Sequence, residues 1–182
     1  MNSVAPALLI AMPQLGDPHF QGSVVLLIDH DADGAMGLIL NRPSPVTLAE
    51  MAKTQSLEVT HKRGQESVFA GGPVERQRGF ALHARADMEE KREVCAGLYL
   101  SVTMPSLTAL LRDDASTLRF CLGYAGWGPQ QLEAEVRSGA WLVSDLTADV
   151  LESPPKDLWQ LRVRGMGIDP AMLLSGTARG MN

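Results

Sequence analysis

Apolar positions in this chain fall into short unbroken blocks and into helically spaced sets, and the two kinds alternate along the sequence. The block Ala7-Leu8-Leu9-Ile10-Ala11-Met12 is apolar throughout. It is far shorter than the roughly 20 residues a membrane-spanning helix requires, so it predicts a first strand. Val24–Ile28 and Met36–Leu40 are β-branched or apolar without strict alternation, and Asp29-His30-Asp31-Ala32-Asp33-Gly34-Ala35 between them carries turn chemistry. They predict a hairpin within a sheet that is covered on both faces. Ser67–Ala70, Arg78–His83 and Val94–Thr103 predict further strands. In Thr117–Gly123, Leu118, Phe120 and Leu122 alternate with Arg119 and Cys121, a half-buried strand pattern, and Trp141-Leu142-Val143 predicts one more.

Helical signals occupy the intervals. Thr47 and Glu50 have capping-box spacing, and Val46 with Met51 has that of a hydrophobic staple. Lys53–Glu66 is polar and without period, so it is expected to be an exposed connection. Ser106 is placed to cap a helix with Leu107, Leu110 and Leu111 on one face. A helix is expected from Pro129 through Leu132 and Val136 to a stop at Gly139. Another opens at Ser153-Pro154-Pro155, with Leu158, Trp159 and Leu161 inward, and ends at Gly165; a last short one begins at Asp169-Pro170. No repeat, linker or low-complexity segment divides the chain, which predicts a single α+β domain over residues 1–182.

Composition narrows the class. With 182 residues, 45% of them apolar, the chain is long enough to bury a substantial core without staples. A net charge of −5 and the lack of a basic recognition helix argue against direct, specific DNA binding. Arg76 and Arg78 are the nearest thing to a basic patch and read as scattered solvated charges. The apolar start lacks a preceding basic region, no stretch is long enough to cross a bilayer, and a soluble cytoplasmic protein is expected. Cys95 and Cys121 lie in strand-like runs, outside any Cys-x-x-Cys pair, and are expected to be buried and inert unless their strands are neighbours. Neither a metal nor a cofactor is expected.

Several constellations bear on chemistry. Asp29, Asp31, Asp33 and Gly34 match the opening of a calcium loop, but Leu40 stands where the closing glutamate belongs, leaving an acidic turn. Gly71-Gly72-Pro73 is either an anion-binding run of N–H groups or a tight structural turn. His83 and His30 are candidates for proton transfer, yet no serine, cysteine or zinc motif accompanies them. In Asn41-Arg42-Pro43 two roles are open. Arg42 clamps an anion, or Asn41 caps the strand end while Arg42 pairs with Glu50 or another acid.

The segment Gly123-Tyr124-Ala125-Gly126-Trp127-Gly128-Pro129-Gln130-Gln131-Leu132-Glu133 is the most distinctive. Tyr124, Trp127 and Gln131 suit a binding pocket or a partner contact, and equally a lid folded onto the core. Trp127 is expected to matter more for engagement than for folding, with Trp159 as the core tryptophan. Glu133 reads as an acid favouring the helix N-terminus.

This segment, with Leu8–Pro13, Gly34–Pro43, Gly71-Gly72-Pro73-Val74, Leu82-His83, Trp141-Leu142 and Leu158-Trp159 in order, resembles the YqgE/AlgH family of bacterial proteins. The resemblance implies an α+β fold whose bent, bifurcated mixed sheet curls into a pseudo-barrel with helices packed outside. Some members are described as transcriptional regulators. Two positions depart from the family pattern: Gln130 stands where glycine is common, and Ser175–Gly180 lacks a histidine many relatives carry near their end. The functional expectation is a binding or regulatory module for a small molecule or protein, with candidate contacts at Asn41, Arg42, Gly71, Gly72, Tyr124, Trp127 and Gln131. The alternative is an enzyme that uses the loops around Asn41, Gly72, His83 and Trp127.

Overall fold

β1 (Ala7–Ala11) lies between β10 (Trp141–Ser144) and β2 (Val24–Asp31), antiparallel to both. β2 turns tightly into β3 (Gly34–Ile39), as the turn chemistry predicts. The computed structural model describes residues 3–179, with side chains to residue 175, so of the segment Ser175–Gly180 that departs from the family pattern only Gly180 lies outside the described residues. The sheet continues from β3 to β9 (Leu118–Trp127), β6 (Val74–His83), β8 (Leu98–Ser101) and β7 (Arg92–Cys95).

Along β9 the sheet forks. The later half of β9 pairs with β3 through Gly37↔Ala125 and Ala35↔Trp127, while its earlier half runs parallel to β5 (Ser67–Ala70) through Phe69↔Cys121. β5 also pairs with β4 (Pro43–Thr47). The fork is stitched at Gly71, whose N–H donates to the Leu122 carbonyl at 2.8 Å and whose carbonyl accepts from Ile39 at 2.8 Å. At the far edge Arg92 of β7 returns to β2, paired with Asp29 at 2.7 Å and donating to the Ile28 carbonyl at 3.3 Å. The sheet is therefore mixed, bifurcated and curled into a half-barrel, as the resemblance implied.

Unbroken apolar strands arise because both faces are covered. Leu8, Ile10, Leu26 and Leu38 enter one core and Leu9, Val25, Leu27 and Ile39 the other. A third core gathers Val68, Ala81 and Phe120 under α1 (Leu48–Thr54) and α3 (Met104–Leu111). The capping box of α1 is made as expected, Thr47 accepting from the Glu50 N–H and Glu50 reaching back to the Thr47 N–H. Its staple is not, since Val46 remains 39% exposed.

Four local expectations are corrected. Val94–Thr103 is not one strand: Gly97, at φ +84°, folds it into the β7–β8 hairpin. α3 is capped by Thr103, and Ser106 supplies an N–H to that cap. Lys53–Glu66 contains a one-turn helix, α2 (His61–Gly64), that buries Arg63. The Arg63 guanidinium donates to the carbonyls of Asp113 and Ser116 and pairs with Glu66 at 3.1 Å, so a cation is buried with every face of its fork used. In α5 (Pro155–Gly165) Leu158 and Val163 are buried, Trp159 is half-buried, and Leu161 faces out at 46% exposure.

α4 (Gln131–Arg137) and α6 (Pro170–Arg179) complete the described helices, none of which is long and apolar enough to cross a membrane. The cysteines are not neighbours, because β8 and β6 separate the strand of Cys95 from that of Cys121. Cys121 is fully buried and its thiol is pushed up to about 12, whereas Cys95 is half-buried and raised less, both by burial.

Candidate functional site

The curl from β2 to β7 encloses a concave cleft of about 970 Å³. Its aromatic floor is Phe80 from β6 and Tyr124 from β9, with ring centroids 6.0 Å apart in an edge-to-face arrangement. Burial raises the Tyr124 phenol, and a hydrogen bond with Glu75 raises it further, so the hydroxyl stays protonated at neutral pH. Arg78 lies over the Phe80 ring at 5.2 Å and makes a loose 3.4 Å pair with Glu75, both side chains more than half exposed. Such a pair contributes little to stability and is free to exchange partners. Lys91 and Arg92 line the β7 side, and Asp29, Asp31 and Asp33 come from the β2–β3 hairpin. Asp29 is held by Arg92, and Asp31 accepts the Asp33 N–H at 2.8 Å, closing the turn on itself.

Of the seven candidate contact residues named from sequence, Tyr124 and Trp127 line this cleft, and Asn41, Arg42, Gly71, Gly72 and Gln131 do not; the acids and glycine of the β2–β3 turn and Arg78 line it as well. Asn41 accepts the Val24 N–H at 2.9 Å and donates to the Gly22 carbonyl at 3.0 Å, tying off the strand end. Arg42 does not reach Glu50: its guanidinium donates to the carbonyls of His19 and of Gln21, pinning the loop before β2. Gly71 and Gly72 form the close crossing at the fork rather than a row of free donors, the Gly71 N–H being already used. Gln131 accepts the Gly128 N–H at 3.0 Å and donates to Glu135 at 3.1 Å, completing the entry to α4.

Trp127 corrects the expectation of a surface ring. It is 6% exposed, stacks on Phe20 at 6.1 Å and meets Trp141 edge-on at 5.9 Å. Its indole N–H and that of Trp141 both donate to Glu135 Oε2, at 2.8 and 2.9 Å. The glycine-framed segment is thus a plug held by one carboxylate. Gln130, just ahead of α4, sits at φ +60°. This left-handed conformation is the physical reason glycine is favoured there. Gln130→Gly is expected to be neutral or to stabilise by up to about 1 kcal/mol, since relieved strain is partly offset by the freer unfolded chain. Urea unfolding measures this, and a clear loss of stability would contradict it.

Neither candidate histidine is poised as a base. His30 Nδ1 accepts the Val4 N–H at 3.1 Å, so the ring proton sits on Nε2, facing Glu133. That hydrogen bond is the main reason the Glu133 carboxyl lies below its usual range; the acid's role is to lock α4 to the hairpin. His83 Nδ1 accepts the Arg85 N–H at 3.1 Å, which puts its proton on Nε2 toward Ser101 Oγ at 2.9 Å, and Ser101 donates onward to the Glu90 carbonyl. A general base must accept the serine proton, and here the polarity runs the other way.

His83 is neutral because burial, then Arg85 and Lys91, lower its pKa below 6.5. Below about pH 6.5 the unfolded chain takes up a proton that the folded chain refuses, so stability present above that pH is lost as the pH falls. Urea midpoints taken between about pH 7.5 and 5 should decline, and the decline should be shallower in His83→Gln.

The loops proposed for catalysis do not converge. His83 pairs with Leu118 at one end of β9 and Ala35 with Trp127 at the other, and a strand of 10 residues spans roughly 30 Å. Phe80 and Glu135 were missed, and Arg78 was read only as one of two scattered solvated charges. Each is an ordinary strand or helix residue in the sequence, and the only local signal was the run of polar side chains from Glu75 to Arg78.

A forked α+β half-barrel with a cleft on its concave side defines the class of protein. The model of the family described as AlgH-like matches residues 8–171. A UPF0301 protein of Myxococcus xanthus is 54% identical over 183 aligned residues, covering 100% of both chains. The solution structure of the AlgH protein from Pseudomonas aeruginosa superposes with a TM-score of 0.74 at 31% identity, covering 96% of each chain. The crystal structure of protein DIP2367 from Corynebacterium diphtheriae shares the fold, with a TM-score of 0.72 at 22% identity over 91% of this chain and 88% of that one. The chain belongs to the AlgH-like family.

Proposed function

We propose that this protein is a cytoplasmic binding module that acts by recognition rather than catalysis. It takes a small molecule or a segment of a partner protein in the cleft and exerts any regulatory effect through that partner, without direct contact with DNA. The observation that carries this reading is the aromatic floor of Phe80 and Tyr124 beneath a cavity of about 970 Å³, in the size range of ligand sites. The net charge of −5 supports a partner other than nucleic acid. The reversed polarity of the His83–Ser101 contact supports recognition over hydrolysis.

The test is a ligand survey of the purified protein by native mass spectrometry, repeated on Tyr124→Ala. Retention of a ligand by the parent and its loss from the variant is the expected result. Retention unaffected by the change at Tyr124, or sequence-selective retention of a DNA fragment in a gel shift, would overturn the reading.

A further inference from the structure

We propose that the chain has a second site, apart from the cleft, which binds an acyl-chain carboxylate. The head lies between Arg42 and Arg76 and the chain runs into the apolar space between α1 and α3. This goes beyond the binding reading above and stands independently of it.

The head site is a cavity of about 410 Å³ with Ile39, Val68 and Phe69 buried in its wall. Its charged lining is Arg42, Arg76 and His19, and no carboxylate lines it. His19 is turned to Asp17 at 3.0 Å. Arg42 is fixed by the carbonyls of His19 and Gln21, neutral acceptors that leave its charge uncompensated and part of its five-donor fork unused. Arg76 is exposed and makes no hydrogen bond or ion pair with any described residue. One arginine held in place and one free to close on a ligand, with no acid between them, suit a carboxylate gripped by guanidinium forks. The apolar wall disfavours a bare, strongly hydrated phosphate and favours an anion that carries an apolar body.

A bulge puts Arg76 there. Between the pairs Val74↔Tyr124 and Gly79↔Leu122, residues 75–78 of β6 stand against Gly123 alone. Glu75 takes φ +45°, a left-handed conformation disfavoured for any residue but glycine. The bulge rests closely on β9, since a Cβ on Gly123 would lie 3.3 Å from the Arg76 Cα. Regular pairing would avoid this strain; bulges that persist beside a site re-aim a side chain, and here that side chain is Arg76.

Arg76, Val46 and Leu122 also line a second cavity, of about 720 Å³, so the two spaces adjoin at the cation. The second is walled by Met51, Leu107 and Phe120, and around it Val46, Val102 and Met104 are 39%, 56% and 50% exposed. Exposed apolar groups clustered in this way mark a surface that something apolar covers. The one carboxylate in that lining, Glu50, is committed to the capping box of α1. Glu75, next to Arg76 in sequence, pairs with Arg78 and lines neither cavity. An acyl chain leaving its carboxylate at Arg76 covers the exposed valines and methionine, and each methylene buried there adds to affinity.

Octanoate is the probe, titrated calorimetrically into the full chain below its micellar range, beside acetate, octanol and inorganic phosphate. It is expected to bind saturably and at least about tenfold tighter than any of the three. Arg76→Gln should weaken octanoate by about tenfold or more with an unchanged urea midpoint, because the side chain has no partner to lose. Met104→Glu, on the first turn of α3 where an acid is tolerated, should weaken octanoate and leave the weak binding of acetate unchanged. Binding should persist in Tyr124→Ala, whose change lies in the cleft. Its loss from a folded Tyr124→Ala would move the ligand to the cleft, overturning the second site while supporting the first. Octanol or acetate equalling octanoate, indifference to Arg76→Gln, or no saturable binding would overturn the proposal and leave the cleft, with its own Tyr124-dependent ligand, as it stood.

Discussion

Gly72→Ala is expected to yield no stably folded protein. A Cβ at this position would stand 2.0 Å from the Tyr124 carbonyl carbon, 2.2 Å from its oxygen and 2.4 Å from the Ala125 nitrogen. All three are backbone atoms of β9, which cannot swing aside as a flexible side chain can. β9 is itself held by β3, β5 and β6, so separating it from Gly72 would open the fork of the sheet. The approach is reciprocal: Gly123, at φ +79°, brings its own missing Cβ within 2.4 Å of the Gly72 carbonyl oxygen. The loss should exceed the roughly 5–15 kcal/mol that stabilises a typical domain, or consume most of it. Gly16→Ala is the control, because nothing lies within 4 Å of a Cβ there. Circular dichroism and urea unfolding of both variants decide the matter. A native-like Gly72→Ala would mean the fork is far more plastic than its geometry implies.

Trp127→Ala should lower the unfolding free energy by about 3–5 kcal/mol, the range for emptying a buried aromatic site. The ring fills the space between Phe20 and Trp141. Its removal also takes one of two indole donors from Glu135 Oε2. Trp159→Ala should cost less, about 2 kcal/mol, because that ring is only half-buried and its N–H makes a single bond to the Ala11 carbonyl. Trp127→Phe should fall between parent and alanine variant, keeping most of the apolar volume without the donor. Urea unfolding of the three variants tests the order. If Trp159→Ala proves the more damaging, Glu135 is not the anchor described here.

Elements governed by near neighbours were legible along the chain. The β2–β3 hairpin followed from two apolar runs around an Asp-rich, glycine-ended turn, and the α1 cap from Thr47 and Glu50 three residues apart. Continuous apolar strands announced a sheet covered on both faces, because a strand with one wet face would alternate. The ordered motifs carried the fork and the curl only through resemblance to a family. Of the candidate site, Tyr124 was legible as an aromatic with a polar handle, whereas Phe80 looked like any core residue.

Partnership between distant residues came only with the tertiary structure. Arg63 looked solvent-bound in a polar stretch until Asp113 and Ser116, fifty or more positions on, brought carbonyls to its guanidinium. Trp127 looked exposed between glycines until Phe20 and Trp141 closed over it. Gly71 and Gly72 offered either donors or a turn, and the backbone of β9 pressed against them settled which. Hydrophobic periodicity and capping report free energies of groups within a few residues of one another. The burial of a cation, the seat of an indole and the cavity above β6 depend on surfaces that meet only when the sheet curls.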